Sequence, residues 1–204
     1  MSHVSVFYAT THGQSRRIAE RIAEVLQSEG HVSLAFEVTS EAARTYDWRK
    51  ADGAVVAASL HAGSHQSAAD AFVREHLPRL NAIPCWFVSV SLSAASRNEN
   101  ERAAADGLAQ AFATSSGWLP RRVSCVAGRL AYTQYSMVTR WLMRRIASKE
   151  GGPTDTSRDH ELTDWTAVDT LAREFARDVW QNAGVAFPDQ GPSAPAASRM
   201  PTAS

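Results

Sequence analysis

The chain has 204 residues, of which 44% are hydrophobic and 21% charged, with 21 basic and 21 acidic side chains in exact formal balance. That make-up is ordinary for one globular domain able to bury a sizeable core, and it lacks the basic excess of a nucleic-acid binder. Two cysteines, Cys85 and Cys125, each sit inside an apolar run, as expected of reduced thiols in the cytosol.

In chain order, the first predicted element is the strand Val4–Ala9, followed by the turn Thr10-Thr11-His12-Gly13-Gln14-Ser15. A helix is expected over Arg16–Glu29, because Ile18, Ala19, Ile22, Ala23, Val25 and Leu26 form one stripe, and Gly30 ends it. A polar, Gly-containing turn between a strand and a helix is a place to hold phosphate. The first-turn N–H groups have no internal partners, and the helix dipole adds partial positive charge there. Thr10, Thr11 and Ser15 supply hydroxyls, and Gly13 permits close approach or a positive φ. No lysine follows in the pattern of a nucleoside-triphosphate loop, and the three glycines of the dinucleotide fingerprint are missing. The turn therefore suits one phosphomonoester, the alternative being a plain βα turn of common loop residues.

The strand Val32–Val38, a polar connector Asp47–Gly53 and the wholly apolar strand Ala54–Ala58 come next. A second loop spans Ser59–Gln66 and contains Leu60, His61, Ala62 and Gly63; the helix Ser67–Leu80 and the strand Cys85–Val90 follow. A third loop, beginning Ser91-Leu92, runs to Asn100 and precedes the helix Glu101–Thr114. Arg122–Ala127 is the fifth strand and stops at Gly128. This rhythm predicts a doubly wound α/β fold with five parallel strands in the order 2-1-3-4-5. The loops after strands 1, 3 and 4 then share the carboxyl edge of the sheet, where such folds bind ligands.

Residues 129–162 interrupt the rhythm, since such connections usually take about 2–6 residues. A helix is expected at Met137–Lys149, with Met137, Val138, Trp141, Leu142 and Ile146 apolar and Arg140, Arg144, Arg145 and Lys149 basic. Such a helix either lies on an anionic membrane surface or packs on the domain with a solvated basic face. Thr163 is the expected N-cap of a last helix, Asp164–Asn182. Residues 184–204 hold four of the eight prolines and are expected to be a disordered tail, leaving one domain over 1–183.

His61 and His65 stand four apart, but no further ligand at zinc spacing accompanies them, so no metal site is expected. His61 could serve a proton transfer or be a plain loop residue. Trp86 and Phe87 read as core. Tyr132 and Tyr135 either face a ligand or pack under the insertion.

With these elements placed, the chain resembles the flavodoxin superfamily, and within it the bacterial menaquinone-dependent protoporphyrinogen dehydrogenases. The likeness covers roughly residues 4–180. It rests on Thr10-x-x-Gly13-Gln14-Ser15-Arg16, on Ala58-Ser59 with Gly63 and Ser67, and on Ala127-Gly128-x-Leu130-x-Tyr132. Its most specific part is Gly151-Gly152-x-Thr154-Asp155-Thr156 with Thr163-Asp164-Trp165.

The resemblance implies non-covalent FMN, with its phosphate in the Thr10–Ser15 turn. The flavin ring would then lie against the Ser59–Ser64 and Ser91–Asn98 loops, with Gly128 and Tyr132 nearby. It further implies a porphyrinogen donor and a quinone acceptor, menaquinone or ubiquinone, in heme biosynthesis. His12 stands where this family carries Thr, Ser or an acid, and Ala62 where it tends to offer an aromatic beside the flavin. An electron carrier, an NAD(P)H-dependent quinone reductase and a module that has lost its flavin are the alternatives. The chain is expected in the cytoplasm, free or peripheral on the inner face of the cell membrane. The first strand starts too early for a signal peptide and no run reaches membrane-spanning length. Homo-oligomers are compatible with this reading.

Overall fold

Among the described residues, the short apolar runs become strands and the striped stretches helices, in the order β1 (His3–Ala9), α1 (Gln14–Ser28), β2 (Val32–Glu37), α2 (Glu41–Arg44), β3 (Gly53–His61) and β4 (Ser64–His65). There follow α3 (Ser67–Leu80), β5 (Cys85–Ser91), α4 (Glu99–Ser116), β6 (Arg122–Ala127), β7 (Arg129–Leu130), β8 (His160–Glu161) and α5 (Trp165–Asn182). The computed structural model describes residues 1–134, 148 and 153–184. The helix expected at Met137–Lys149 (but for residue 148), Tyr135 and the tail beyond residue 184 lie outside the described residues.

The main sheet runs β2-β1-β3-β5-β6 with every pairing parallel, which is the predicted 2-1-3-4-5 order once β4 is set aside. Val6 pairs with Ala35 on one side and Val55 on the other, and Val55 pairs with Trp86. Because side chains alternate across the sheet, consecutive residues feed different cores. Val4, Val6, Val55, Ala57, Trp86 and Val88 pack with Ile18, Ile22 and Leu26 of α1 and with Val168, Leu171, Phe175 and Val179 of α5. Phe7, Ala54, Val56 and Phe87 pack on the opposite face with Phe72 and Val73 of α3 and Ala109 and Ala113 of α4. Each fully buried Val, Leu, Ile or Phe contributes about 1.5–3 kcal/mol to folding. Trp86 and Phe87 are core, as expected, and both cysteines are free thiols. Burial pushes the Cys125 thiol up to about 12, which suppresses thiolate at neutral pH.

Element ends differ from expectation where side chains compete for the backbone. Helix α1 begins two residues early, at Gln14, because Gly13 takes φ 79° and turns the chain directly into the helix. It ends in a Schellman motif at Gly30, φ 87°, with the His31 amide donating to the Leu26 carbonyl at 3.0 Å. Helix α4 starts at Glu99, since the Asn98 side chain accepts from the Asn100 amide, shortening the third loop. The connector before β3 is less polar than its composition suggests. Trp48 stacks on Phe7 at 5.1 Å and meets Tyr46 edge-on at 5.2 Å.

Two corrections bear on the site. Ser59, Leu60 and His61 are not loop; they extend β3, which folds back on β4 as a hairpin. Its two-residue turn, Ala62 (φ 47°) and Gly63 (φ 83°), has positive φ at both central positions, matching the twist of the flanking strands. Thr163 is not the cap of α5. Asp164 is, its carboxylate accepting from the Ala167 amide at 3.0 Å. Thr163 is freed for another task. Within the insertion, Arg129 pairs with Glu161 and Leu130 with His160 in a short antiparallel stem.

Candidate functional site

At the carboxyl edge of the sheet the βα turns enclose a cleft of about 470 Å³, within the range of small-molecule sites. Its parts come from five stretches of chain. Thr10, His12, Gln14 and Ser15 form one end; Ser59, Leu60, His61, Ala62 and Gly63 form one wall. The other wall is Val90–Ser93 with Glu101, Ala104, Ala105 and Leu108 of α4, and Gly128 with Arg129 closes the floor.

The first end is built of donors with nowhere to go. Ser15 is fully buried in the first turn of α1, and its hydroxyl has no hydrogen-bond partner among the described residues; the Thr10 hydroxyl is in the same state. The helix has no side-chain cap, so its leading N–H groups also await an acceptor. Unsatisfied buried hydroxyls cost about 1–3 kcal/mol each. An anion at this helix terminus would satisfy hydroxyls and amides together and meet the positive end of the dipole.

The turn is held rigidly from two sides. Gln66, which sequence reasoning passed over, donates from Nε2 to Thr11 Oγ1 at 3.2 Å and makes a short bond to Ser59 Oγ, tying the first loop to β3. On the other side, Gln14 Nε2 donates to Glu161 Oε1 at 2.7 Å and to Thr163 Oγ1 at 2.8 Å. Thr163 in turn donates to the Ala127 carbonyl at 2.7 Å, joining the end of β6 to the start of α1.

The walls beyond the donors are mostly apolar. Leu60, Ala62, Leu92, Ala104 and Leu108 face a slot that can take a flat ring system. His61 meets His12 edge-on at 5.7 Å; burial and the neighbouring His12 lower its pKa, so the ring is neutral near pH 7. His65 is removed from the cleft. Its ring lies 4.8 Å from Phe112 and 5.1 Å from Phe87, and Nε2 bonds Ser89 Oγ at 2.9 Å. The two histidines thus meet different surroundings.

Of the residues singled out in the sequence, Thr10, His12, Gln14, Ser15, Ser59, Leu60, His61, Ala62, Gly63, Ser91, Leu92 and Gly128 come together on the cleft. Thr11 and Gly13 shape the turn without lining it. Tyr132 does not line it: the side chain is fully buried, packs with Leu130, Leu92 and Leu162, and donates to the Pro153 carbonyl at 2.9 Å. The packing alternative holds for that tyrosine. Missed were the α4 wall and Arg129. The alanines of α4 give no chemical signal in a sequence, and Arg129 is adjacent to the turn only through tertiary contact.

Residues 5–157 match the family model described as the flavodoxin domain. The chain belongs to the flavodoxin family. Among curated proteins, it is 32% identical over 176 residues to a protoporphyrinogen IX dehydrogenase (quinone) of Escherichia coli K12, covering 84% of this chain and 93% of that one. A protein of the same name from Leishmania major is 31% identical over 171 residues, covering 84% of this chain and 73% of that one. Among solved structures, oxidised flavodoxin 2 of Bacillus cereus superposes with a TM-score of 0.53 at 15% identity, covering 87% of this chain and 99% of that one. Oxidised flavodoxin 1 of the same organism gives 0.51 at 15%, covering 86% and 98%. These two likenesses establish the flavodoxin fold. The donors at the end of the cleft stand where that fold turns from its first strand into its first helix.

Proposed function

We propose that the protein is an FMN-dependent dehydrogenase that oxidises a porphyrinogen, protoporphyrinogen IX, and passes the electrons to a quinone. The observation that carries the cofactor is the pair of buried hydroxyls of Thr10 and Ser15, without partners among the described residues, beside the start of α1 that no side chain caps. A phosphomonoester satisfies that set, and the apolar slot continuing from it suits an isoalloxazine ring. The substrate and acceptor rest on the relatives, whose names include both.

Bound FMN would supply the redox chemistry, taking hydride equivalents from the porphyrinogen in successive two-electron steps that are balanced by reduction of quinone to quinol. The chain's own residues bind and orient. Thr10, Ser15 and the first amides of α1 grip the phosphate; Gln14, bonded to Glu161 and Thr163, and Gln66, bonded to Thr11 and Ser59, brace the turn that carries those groups, so little reorganisation is needed on binding. Leu60, Ala62, Leu92 and Leu108 exclude water from the ring. Neutral His61, at the lip of the slot, can accept a proton released as substrate is oxidised.

The test begins with the purified protein, which should show flavin absorbance or acquire it when FMN is added. Anaerobic protoporphyrinogen IX with a menaquinone analogue should then yield porphyrin fluorescence in step with quinol formation. A folded protein that never binds FMN defeats the cofactor reading. Rapid NADPH oxidation without porphyrin formation would make it a reductase.

A further inference from the structure

Arg129 opens β7 immediately after the chain leaves β6, and among the described residues it is the only Arg or Lys lining the cleft. Its Nη2 donates to the carbonyl of His12, inside the phosphate turn, at 3.4 Å. Nη1 lies 3.4 Å from Asp159 Oδ2, with both side chains only 20% exposed. The remaining face is not used: Nε is buried and has no hydrogen-bond partner among the described residues. A role limited to pinning the stem would employ Asp159 and the His12 carbonyl and leave that buried N–H unsatisfied, which is an unfavourable arrangement. Arg129 lines the same cleft as the Thr10 and Ser15 hydroxyls, which have no partner among the described residues, so an anion held there would give that N–H its acceptor.

We propose that Arg129 is the cation of the phosphate site, giving its free Nε–H to a phosphate oxygen while Asp159 and the His12 carbonyl hold the guanidinium in place. The inference rests on the FMN reading above and adds to it. Hydroxyls and backbone amides recognise an anion only through neutral donors and the helix dipole. A guanidinium adds a charge-assisted bond about twice as strong as a neutral one. The residue therefore sets specificity: it separates the phosphorylated flavin from riboflavin, which offers the same ring and no anion. The insertion gains a role as well, since its first residue completes the site and its Asp159 restrains that residue. Because the guanidinium is mostly shielded from solvent, salt should weaken the contact only modestly.

Fluorescence titrations with FMN and with riboflavin, on the wild-type protein, R129Q and R129K, test this. R129Q should bind FMN about tenfold to a hundredfold more weakly, as for loss of a charge-assisted hydrogen bond. Its riboflavin affinity should change less than about threefold, because riboflavin brings no anion for that guanidinium to meet. R129K, which keeps the charge and loses the planar fork, should fall between. Inorganic phosphate should compete with FMN on the wild-type protein and do so less well on R129Q. Equal weakening of both flavins in R129Q would make the residue structural, and unchanged FMN binding in a folded R129Q would remove it from the site; either overturns the inference alone. Should R129Q fail to fold, R129K decides: an FMN-to-riboflavin ratio equal to wild type, with no phosphate competition in the wild-type protein, overturns it. A wild-type protein that binds neither flavin defeats the cofactor reading and this inference with it.

Discussion

Gln14 and Thr163 meet at 2.8 Å across 149 residues of chain, the amide of the first turn of α1 donating to a hydroxyl just ahead of α5. Thr163 passes the connection on to the Ala127 carbonyl at 2.7 Å, so one hydroxyl fastens the start of α1 to the end of β6. Thr163→Val keeps shape and removes both bonds. It should lower stability by about 1–3 kcal/mol, the range for leaving buried polar groups unsatisfied. FMN affinity should fall as well, while Thr163→Ser stays near wild type. Chemical denaturation and flavin titration of the two variants check this; a Thr163→Val protein with unaltered FMN affinity would show that the turn keeps its geometry without this bond.

Ser15 offers a test in which stability and binding move in opposite directions. Its hydroxyl is buried without a partner among the described residues, so Ser15→Ala should stabilise the flavin-free protein by about 1 kcal/mol. The same change should weaken FMN binding by roughly tenfold, the value of one hydrogen bond of about 1.4 kcal/mol. Ser15→Asp places a carboxylate against the phosphate and should abolish binding. Thermal melts without flavin, paired with titrations, read both effects. Tighter FMN binding by Ser15→Ala would mean that the hydroxyl faces something other than the cofactor.

Ala62 sits at φ 47°, in the left-handed region where a side chain costs roughly 1–2 kcal/mol. Ala62→Gly relieves that strain, and the added freedom of the unfolded chain offsets part of it. The net expectation is a gain of about 0.5–1 kcal/mol in stability with the hairpin retained. Ala62→Tyr should instead add an aromatic wall to the slot and tighten FMN binding, at some expense in stability. If Ala62→Gly melts below wild type, the turn is not strained in the way its dihedral implies.

Burial lowers the His65 pKa to about 4, from an ordinary value near 6.5. The unfolded chain therefore takes up a proton on this residue at a higher pH than the folded protein does. Stability is fully present above pH 6.5, declines as pH falls toward 4, and gains no further loss from His65 below that. With partial exposure allowed for, the effect is on the order of 2 kcal/mol. His65→Gln removes it while keeping a group able to reach Ser89. The pH dependence of its unfolding free energy between 4 and 6.5 should be flatter than that of wild type. Parallel curves would assign the acid sensitivity to other groups, His31 and His76 among them, whose pKa values burial also lowers.

Much of this fold is legible in the order of residues alone, because hydrophobic period and helix ends are local properties. Ala54–Ala58 reads as a strand buried on both faces and is one; Ile18, Ile22 and Leu26 read as a buried stripe and are one. The proposed phosphate turn, Thr10–Ser15, is equally local in its chemistry, since its hydroxyls and amides belong to six consecutive residues. What only the tertiary structure decided depends on residues far apart in sequence. Thr163 has the chemistry of a cap, but a caps contest with its neighbour Asp164 was settled by the Ala127 carbonyl and Gln14 waiting beside it. Tyr132 could equally have faced a ligand; the Pro153 carbonyl and the leucines of the stem took it inward. Arg129 carries no motif, and its contact with the His12 carbonyl exists only because parallel strands bring the ends of β1 and β6 to the same edge. Local periodicity specifies which elements form, whereas burial and pairing of polar groups among distant segments determine which side chains reach the cleft.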